Sequence, residues 1–449
     1  VTPTTSSPSR SPAAVLALAA LAALALAPAA AAADPLSLEQ AVRAAWARNP
    51  ALGASAAQVA AARADAARAR DGRLPTLSLA ARGVRTDEPM MAFGLLLDEG
   101  RVAASSFDPA RLNSPPAVGG WGGGVTVSLP IYAGGRLVAG QRAAEAMADA
   151  ESAGHARRAQ ELAEAVVEAY FGAQAAEEGL RHADELCAQA AETERFVRAR
   201  AAEGLALDAD VARSTAFRAQ AEAVRAAARQ RRESARSGLG LLTGEDAPAA
   251  ELVTSIEVPS APPPAAASTP RPDLEAARLR RDAAEEGVRL ARGSLLPMVA
   301  AQASAEALRS PSLADGRAWT TLGLVARWDL ALGDLRAVEA ARARARAAEQ
   351  ALAWAERQAA RDGDESRRAV EAADARMLAA REAVAASESA RTLRLARHRQ
   401  GLLPLTDVLD AETGLAGARA LLVASRLEAR VARARLALAL NQPVEGLTP

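Results

Sequence analysis

Two stretches of about 65 residues, Arg136 to about Ala202 and Leu335 to about Gln400, read as uninterrupted helix and limit every fold the rest of the chain can join. At 1.5 Å per residue each would extend on the order of 100 Å, more than any globular core requires. Their apolar stripes are narrow: Leu162, Val166 and Tyr170, with Ala163, Val167 and Phe171 alongside. Alanine fills much of the remainder, so neighbouring helices can approach closely. The expected arrangement is side-by-side packing in a coiled-coil-like sheet or tube with charged faces to water. Hydrophobic residues are 50% of the chain but mostly alanine, and aromatics are only 3%, which argues against a large packed interior. Formal net charge is zero, with arginines interleaved among Asp and Glu. That is the pattern of solvated helix faces and speaks against a nucleic-acid partner.

The first 33 residues have the pattern of a secretory signal peptide: Arg10, then "AAVLALAALAALALA", then small residues ending near Ala32 or Ala33. An uncleaved membrane anchor is the alternative. No other run of about 18 apolar residues follows, so no spanning helix is expected in the mature chain. Cys187 is the only cysteine, which excludes an internal disulfide and leaves no cysteine after the signal for lipid attachment.

The mature chain reads as a tandem duplication. Pro50, Leu52, Leu74 and Pro75 recur as Pro272, Leu274, Leu296 and Pro297 at one constant offset. After each long helix, "GLALDADVARS" from Gly204 aligns with "GLLPLTDVLDA" from Gly401, pairing Asp210 with Asp407. The same offset brings Gly244 onto Asn441, two residue types that close helices in the left-handed conformation. The expected organisation is a first repeat at 34–257 and a Pro-rich linker at 258–272. A second repeat follows at 273–449. Each repeat reads as helix, β-hairpin (about 75–131 and 297–330), long helix and return helix.

The strand candidates alternate apolar and polar residues: Pro75 to about Thr86, Gly122 to Ile131, Met298 to about Leu308 and Thr320 to Leu330. In "GVTVSLPIYAGGR" Pro130 and the pair Gly134-Gly135 are expected to end the strand, and Gly333 to mark the second strand–helix junction. Strands of about 10 residues with one apolar face have the length and pattern of membrane-barrel strands. Two small hairpins on a soluble helical protein fit the same pattern. In a bilayer no edge can stay unpaired, and four strands cannot close a barrel. Three copies would supply twelve. The long connection from Thr86 to Gly124 suits an extracellular loop. Trp121 and Trp319 suit a membrane-interface girdle and Trp328 the opposite interface, and all three suit ordinary packing equally.

Together, the signal peptide, the tandem halves, "VSLPIYAGGR" opening a long helix and "GLLPLTDVLDAET" at its return resemble the TolC-like outer-membrane efflux proteins, over essentially the whole mature chain. The resemblance implies a mainly α fold with a β-barrel segment. In such a homotrimer a twelve-stranded transmembrane barrel, four strands per protomer, is continued by a long periplasmic α-helical barrel. It further implies a passive exit duct of a tripartite efflux or type I secretion system, set in outer-membrane lipid. Such a duct docks a periplasmic adaptor (membrane fusion) protein and an inner-membrane pump or ABC transporter. The family's adaptor-docking pairs fall on Gly204-Leu205 and Gly401-Leu402. Its entrance carboxylates fall on Asp407 and Asp410, its first-half aspartate on Asp210, and the tyrosine partner of that aspartate on His398. Leu403 replaces a basic residue often found there, so the family's closing hydrogen bonds are not carried over intact.

Independently of the family, Asp407 and Asp410 are spaced i, i+3 and share one helix side. In a trimer they would form two stacked rings of three carboxylates, which favour cations and suit a divalent blocking ion. The same residues also suit helix N-terminal acids. The histidines, His155, His182 and His398, lie far apart without metal-ligand spacing. No phosphate loop, nucleophile elbow or Cys/His dyad is present, so neither an enzyme nor a cofactor is expected. The rival class is a soluble periplasmic coiled-coil adaptor or structural protein.

Overall fold

The computed structural model describes residues 35–244, 250–257, 270–313 and 316–444. The expected signal peptide and most of the expected linker, 258–269, lie outside the described residues. The helices are α1 (Leu38–Arg48), α2 (Pro50–Asp71), α3 (Pro89–Asp98), α4 (Pro109–Asn113), α5 (Arg136–Ala202), α6 (Asp208–Thr243), α7 (Pro272–Gly293), α8 (Leu332–Arg399) and α9 (Leu405–Ala439). The strands are β1 (Thr76–Thr86), β2 (Val118–Ala133), β3 (Met298–Arg309) and β4 (Gly316–Arg327). Two compact units divide the chain. The first draws on residues through Asn49, Leu162–Pro262 and Ala369–Ala434. The second draws on Pro50–Glu161, Pro263–Arg368 and the residues from Arg435 on.

In the first unit α1 starts at a reciprocal capping box. The Gln40 N–H donates to the Ser37 hydroxyl at 3.2 Å and the Ser37 N–H to Gln40 Oε1 at 2.8 Å. Small side chains set the helix packing, as where Cys187, Ala190 and Ala221 meet with Leu186 and Phe217 against them. Burial pushes the Cys187 thiol pKa up. Extended backbone is held here by side chains. Tyr170 donates its hydroxyl to Leu36 O at 2.7 Å and accepts from the Thr254 N–H at 3.0 Å. Arg430 donates to the carbonyls of Ser255 and Glu257, each at 2.6 Å, while stacking over Phe171.

The second unit holds one antiparallel sheet in the order β1-β2-β3-β4. Its register puts Leu77 and Leu79 on one face with Val127, Val125, Ala303, Ala305 and Leu322. The other face carries Ser78, Arg82, Thr126, Gln302, Ser304, Glu306 and Thr321. Contrary to expectation, Pro130 does not end β2. A register shift between Pro130 and Tyr132 leaves a bulge, and pairing resumes at Tyr132 and Ala133. A bulge is where a residue without an N–H costs a sheet least. Trp121 lies on the apolar face beside Gly83, whereas Trp319 sits opposite Glu306 on the polar face. No helix among the described residues is long and apolar enough to cross a membrane.

Candidate functional site

The two helix tips of the first unit share one construction. At the turn between α5 and α6, Gly204 has φ +72° and donates to Ala201 O at 3.0 Å, while the Leu205 N–H reaches back to Arg200 O at 2.8 Å. At the turn between α8 and α9, Gly401 has φ +78° and donates to His398 O at 2.9 Å, while the Leu402 N–H reaches Arg397 O at 3.0 Å. This double return bond closes a helix only if one residue adopts the left-handed conformation, which glycine does without strain. The side chain that follows is turned outward: Leu205 is 61% and Leu402 68% exposed.

Asp210 and Asp407 are each the third residue of their helix, where a carboxylate faces the positive end of the helix dipole. Asp410 follows Asp407 by three residues and is exposed. Among the described residues none of these three carboxylates takes a hydrogen bond or an ion pair. His398 donates from Nδ1 to Leu403 O at 2.8 Å and meets the Phe196 ring edge-on at 6.2 Å. His398 and Asp210 line one cleft of about 190 Å³ with Arg200, Leu205, Gly401 and Pro404. The structure thus gathers Asp210, His398, Leu205 and Gly401 around one cleft and leaves Gly204, Leu402, Asp407 and Asp410 outside its lining.

Below each tip lies a polar pair that sequence reasoning missed. In α5 Glu194 is buried, accepts from the Thr215 hydroxyl at 2.7 Å and pairs with Arg198 at 2.8 Å and Arg218 at 2.7 Å. The Thr215 hydrogen bond, aided by the two guanidinium groups, holds its carboxyl below the usual glutamate range. At the matching place in the second helix pair, Arg391 donates to the buried Glu412 at 2.7 Å. The offset that aligns Gly204 with Gly401 also aligns Glu194 with Arg391 and Thr215 with Glu412. That was the available signal.

At the strand–helix junction, Gly134 (φ +61°) and Gly135 (φ +79°) turn β2 into α5. Gly333 behaves differently. It is the second residue of α8, without a positive φ, and nothing lies within 4 Å of a Cβ placed there. Among the described residues no group of three or more His, Cys, Asp or Glu is placed to hold a metal ion.

The sheet is the second candidate surface. Its apolar face carries no charge along the paired stretch from Leu77 to Leu79, Val125 to Leu129, Ala301 to Ala305 and Thr320 to Leu324. On the opposite face Arg82 pairs with Glu306 at 3.8 Å across the glycines of β2. A Cβ at Gly124 would lie 2.9 Å from Glu306 Cγ, so the missing side chain makes room for the pair.

The model of the outer membrane efflux protein family matches residues 41–245 and 264–442. The chain belongs to this family. As an outer membrane efflux protein it is an exit channel of the outer membrane with a periplasmic helical extension, a conduit and not an enzyme. Its fold is mainly α with a β-barrel segment, that of the trimeric efflux channels. Solved structures agree in fold. The Campylobacter jejuni CmeC outer membrane channel superposes with a TM-score of 0.80 at 16% identity, covering 92% of this chain and 86% of that one. The Vibrio cholerae outer membrane protein VceC gives 0.75 at 20% identity, covering 90% and 96%. The open state of the Neisseria gonorrhoeae MtrE outer membrane channel gives 0.73 at 22% identity, covering 93% and 91%. Comparison with curated proteins yields no significant match. Membership in the family places this efflux protein in a tripartite assembly with an adaptor and an inner-membrane pump.

Proposed function

We propose that three copies of this efflux protein close one continuous wall, that their helix tips receive the periplasmic adaptor, and that Asp407 and Asp410 guard the periplasmic entrance. The observation that carries the reading is a sheet that is apolar across one face and has two outer strands, β1 and β4, with a neighbour on one side only. Exposed backbone groups at such edges cost several kcal/mol each in lipid. β1 and β4 run in opposite directions, so β4 of one copy can pair antiparallel with β1 of the next. Three copies then give twelve strands with no edge left, the apolar face to lipid and the polar face to the lumen. A soluble coiled-coil rod leaves that apolar face without a partner.

At the tips, Leu205 and Leu402 offer an adaptor two outward apolar side chains held on glycine turns. Asp407 and Asp410 are free of local partners and repeat threefold, so they favour cations and a divalent blocker at the mouth. In this reading residues 1–33 direct export, 34–257 and 273–449 are the two repeats, and 258–272 links them.

The test is direct. Purified from outer membranes in detergent, the protein should run as a heat-sensitive trimer and conduct in planar bilayers. Asp407→Ala with Asp410→Ala should raise resting conductance and weaken divalent block. Leu205→Asp with Leu402→Asp should abolish co-purification with the adaptor while the trimer persists. A folded monomer stable without detergent would overturn the three-copy wall, and unchanged conductance and block in the double aspartate variant would overturn the entrance role.

A further inference from the structure

The connection from β1 to β2 contains a helix for which the exit-channel reading has no use. α3, "PMMAFGLLLD", carries no charge until Asp98. Its buried side chains, Ala92 and Leu95, continue into the buried Glu99 that ends it. Met90, Gly94 and Leu97 lie on the opposite side of the helix, and Met90 is 78% and Leu97 51% exposed. A helix that is apolar all round belongs in a place where both sides are covered.

Which face of the sheet α3 rests on decides what can cover its outer side. A Cβ on Gly120 would lie 2.5 Å from Glu99 Oε1 and 3.5 Å from Leu308 Cδ1. A Cβ on Gly122 would lie 2.9 Å from Leu308 Cδ1 and 3.5 Å from Arg82 Nε. Glu99 and Leu308 therefore stand on the face of β2 that also carries Arg82 and Glu306, the polar one. Leu308 is fully buried there. Two further contacts fix the helix end. Arg101 donates to Glu99 Oε2 at 2.8 Å, and the Arg317 side chain packs across Gly100, whose φ is +73°. The polar face cannot be the lipid face, so lipid does not cover Met90 and Leu97.

We infer that α3 folds into the barrel mouth and that Met90 and Leu97 of the three copies face one another there, forming an apolar constriction on the exterior side. The occupant of the exposed strip is the same helix of the neighbouring protomers. This rests on the three-copy wall and adds a second barrier to the entrance aspartates. An apolar ring of this kind impedes ions by excluding water and needs no charge to do so. Glu99 is the positioning residue. Its carboxylate occupies the space left by Gly120, so that the C-terminal end of α3 packs against β2 at that glycine.

Single cysteines test the geometry. Met90→Cys and Leu97→Cys variants, exposed positions that leave the core intact, are treated in outer membranes with a short bismaleimide. Both should give covalent dimers on denaturing gels, the largest product that one accessible thiol per protomer allows, whereas Leu79→Cys on the apolar face and the unsubstituted chain with its buried Cys187 should not. Absence of cross-links at both positions in a preparation that still runs as an unheated trimer would overturn the inference. Conductance separates it from the channel reading. In the Asp407→Ala/Asp410→Ala background, adding Met90→Ser and Leu97→Ser should raise conductance at least twofold. If the entrance variant conducts and the serines change nothing, the constriction is refuted and the channel stands. If neither variant conducts, the channel reading itself fails.

Discussion

The corner where β2 enters α5 is closed by a backbone-to-backbone contact that admits no side chain, and its two glycines, compared with Gly333 near the start of α8, separate two physical costs. A Cβ on Gly134 would lie 2.3 Å from Gly293 O and 2.7 Å from Leu296 Cβ. Gly134→Ala therefore incurs the left-handed penalty of about 1–2 kcal/mol for a residue with a Cβ. It also forces the β2–α5 and α7–β3 corners apart, an overpacking cost of about 1–3 kcal/mol. Gly135 has the same handedness but nothing within 4 Å of its Cβ position, so Gly135→Ala should cost only about 1–2 kcal/mol. The difference, about 1–3 kcal/mol, amounts to about a 5- to 150-fold change in the folding equilibrium. Gly333→Ala should go the other way and stabilise by about 0.5–1 kcal/mol, because the position is helical, open and of ordinary φ. Urea titrations of the three variants refolded into lipid vesicles, followed by circular dichroism, give the order directly. A Gly134→Ala midpoint equal to that of Gly135→Ala would show that the corner yields without strain and would refute the packing argument.

Other perturbations probe the tips. Glu194 has its pKa lowered by the Thr215 hydroxyl and by Arg198 and Arg218. Its contribution is complete above the unfolded glutamate value of about 4.3 and is lost as pH falls from there through the lowered folded value. Amide exchange at the α5–α6 tip should accelerate over that acid range and lose this dependence in Glu194→Gln. Arg391→Ala removes the cation from a buried Glu412 and should cost about 3 kcal/mol, while Arg391→Met with Glu412→Leu should be nearly neutral in the same urea titration.

Local order was legible where a short period or a backbone need writes itself into consecutive residues. The long helices follow from their narrow stripes, and the helix ends from residues that tolerate the left-handed region: Gly244 takes φ +75° and Asn441 φ +53°. Alternation marked the strands, and the missing side chain at Gly83 in β1 has a spatial cause. Gly83 is small because the Trp121 ring on the neighbouring strand occupies the space of its side chain. Pro130 misled because a proline reads as a stop, whereas β2 absorbs it in a bulge. α3 was hidden for the opposite reason. A ten-residue helix that is apolar on every side has no amphipathic period, and it lay inside a connection whose Gly and Pro content reads as loop.

The tip chemistry was legible in position but not in partnership. Gly204 and Gly401 could be placed by their repeat, yet His398 binds Leu403 O, a partner that only the folded turn brings within reach. The polar pair beneath each tip goes further. Glu194 with Thr215 and Arg391 with Glu412 occupy matching places, but the acid sits on the long helix in one half and on the return helix in the other. A helix pair assembled from the wrong halves would bring Glu194 against Glu412, two buried carboxylates, in place of a matched pair. Two like charges in such a site repel and desolvate each other. The duplicated chain thus carries, in four side chains, a reason for each long helix to return with its own partner.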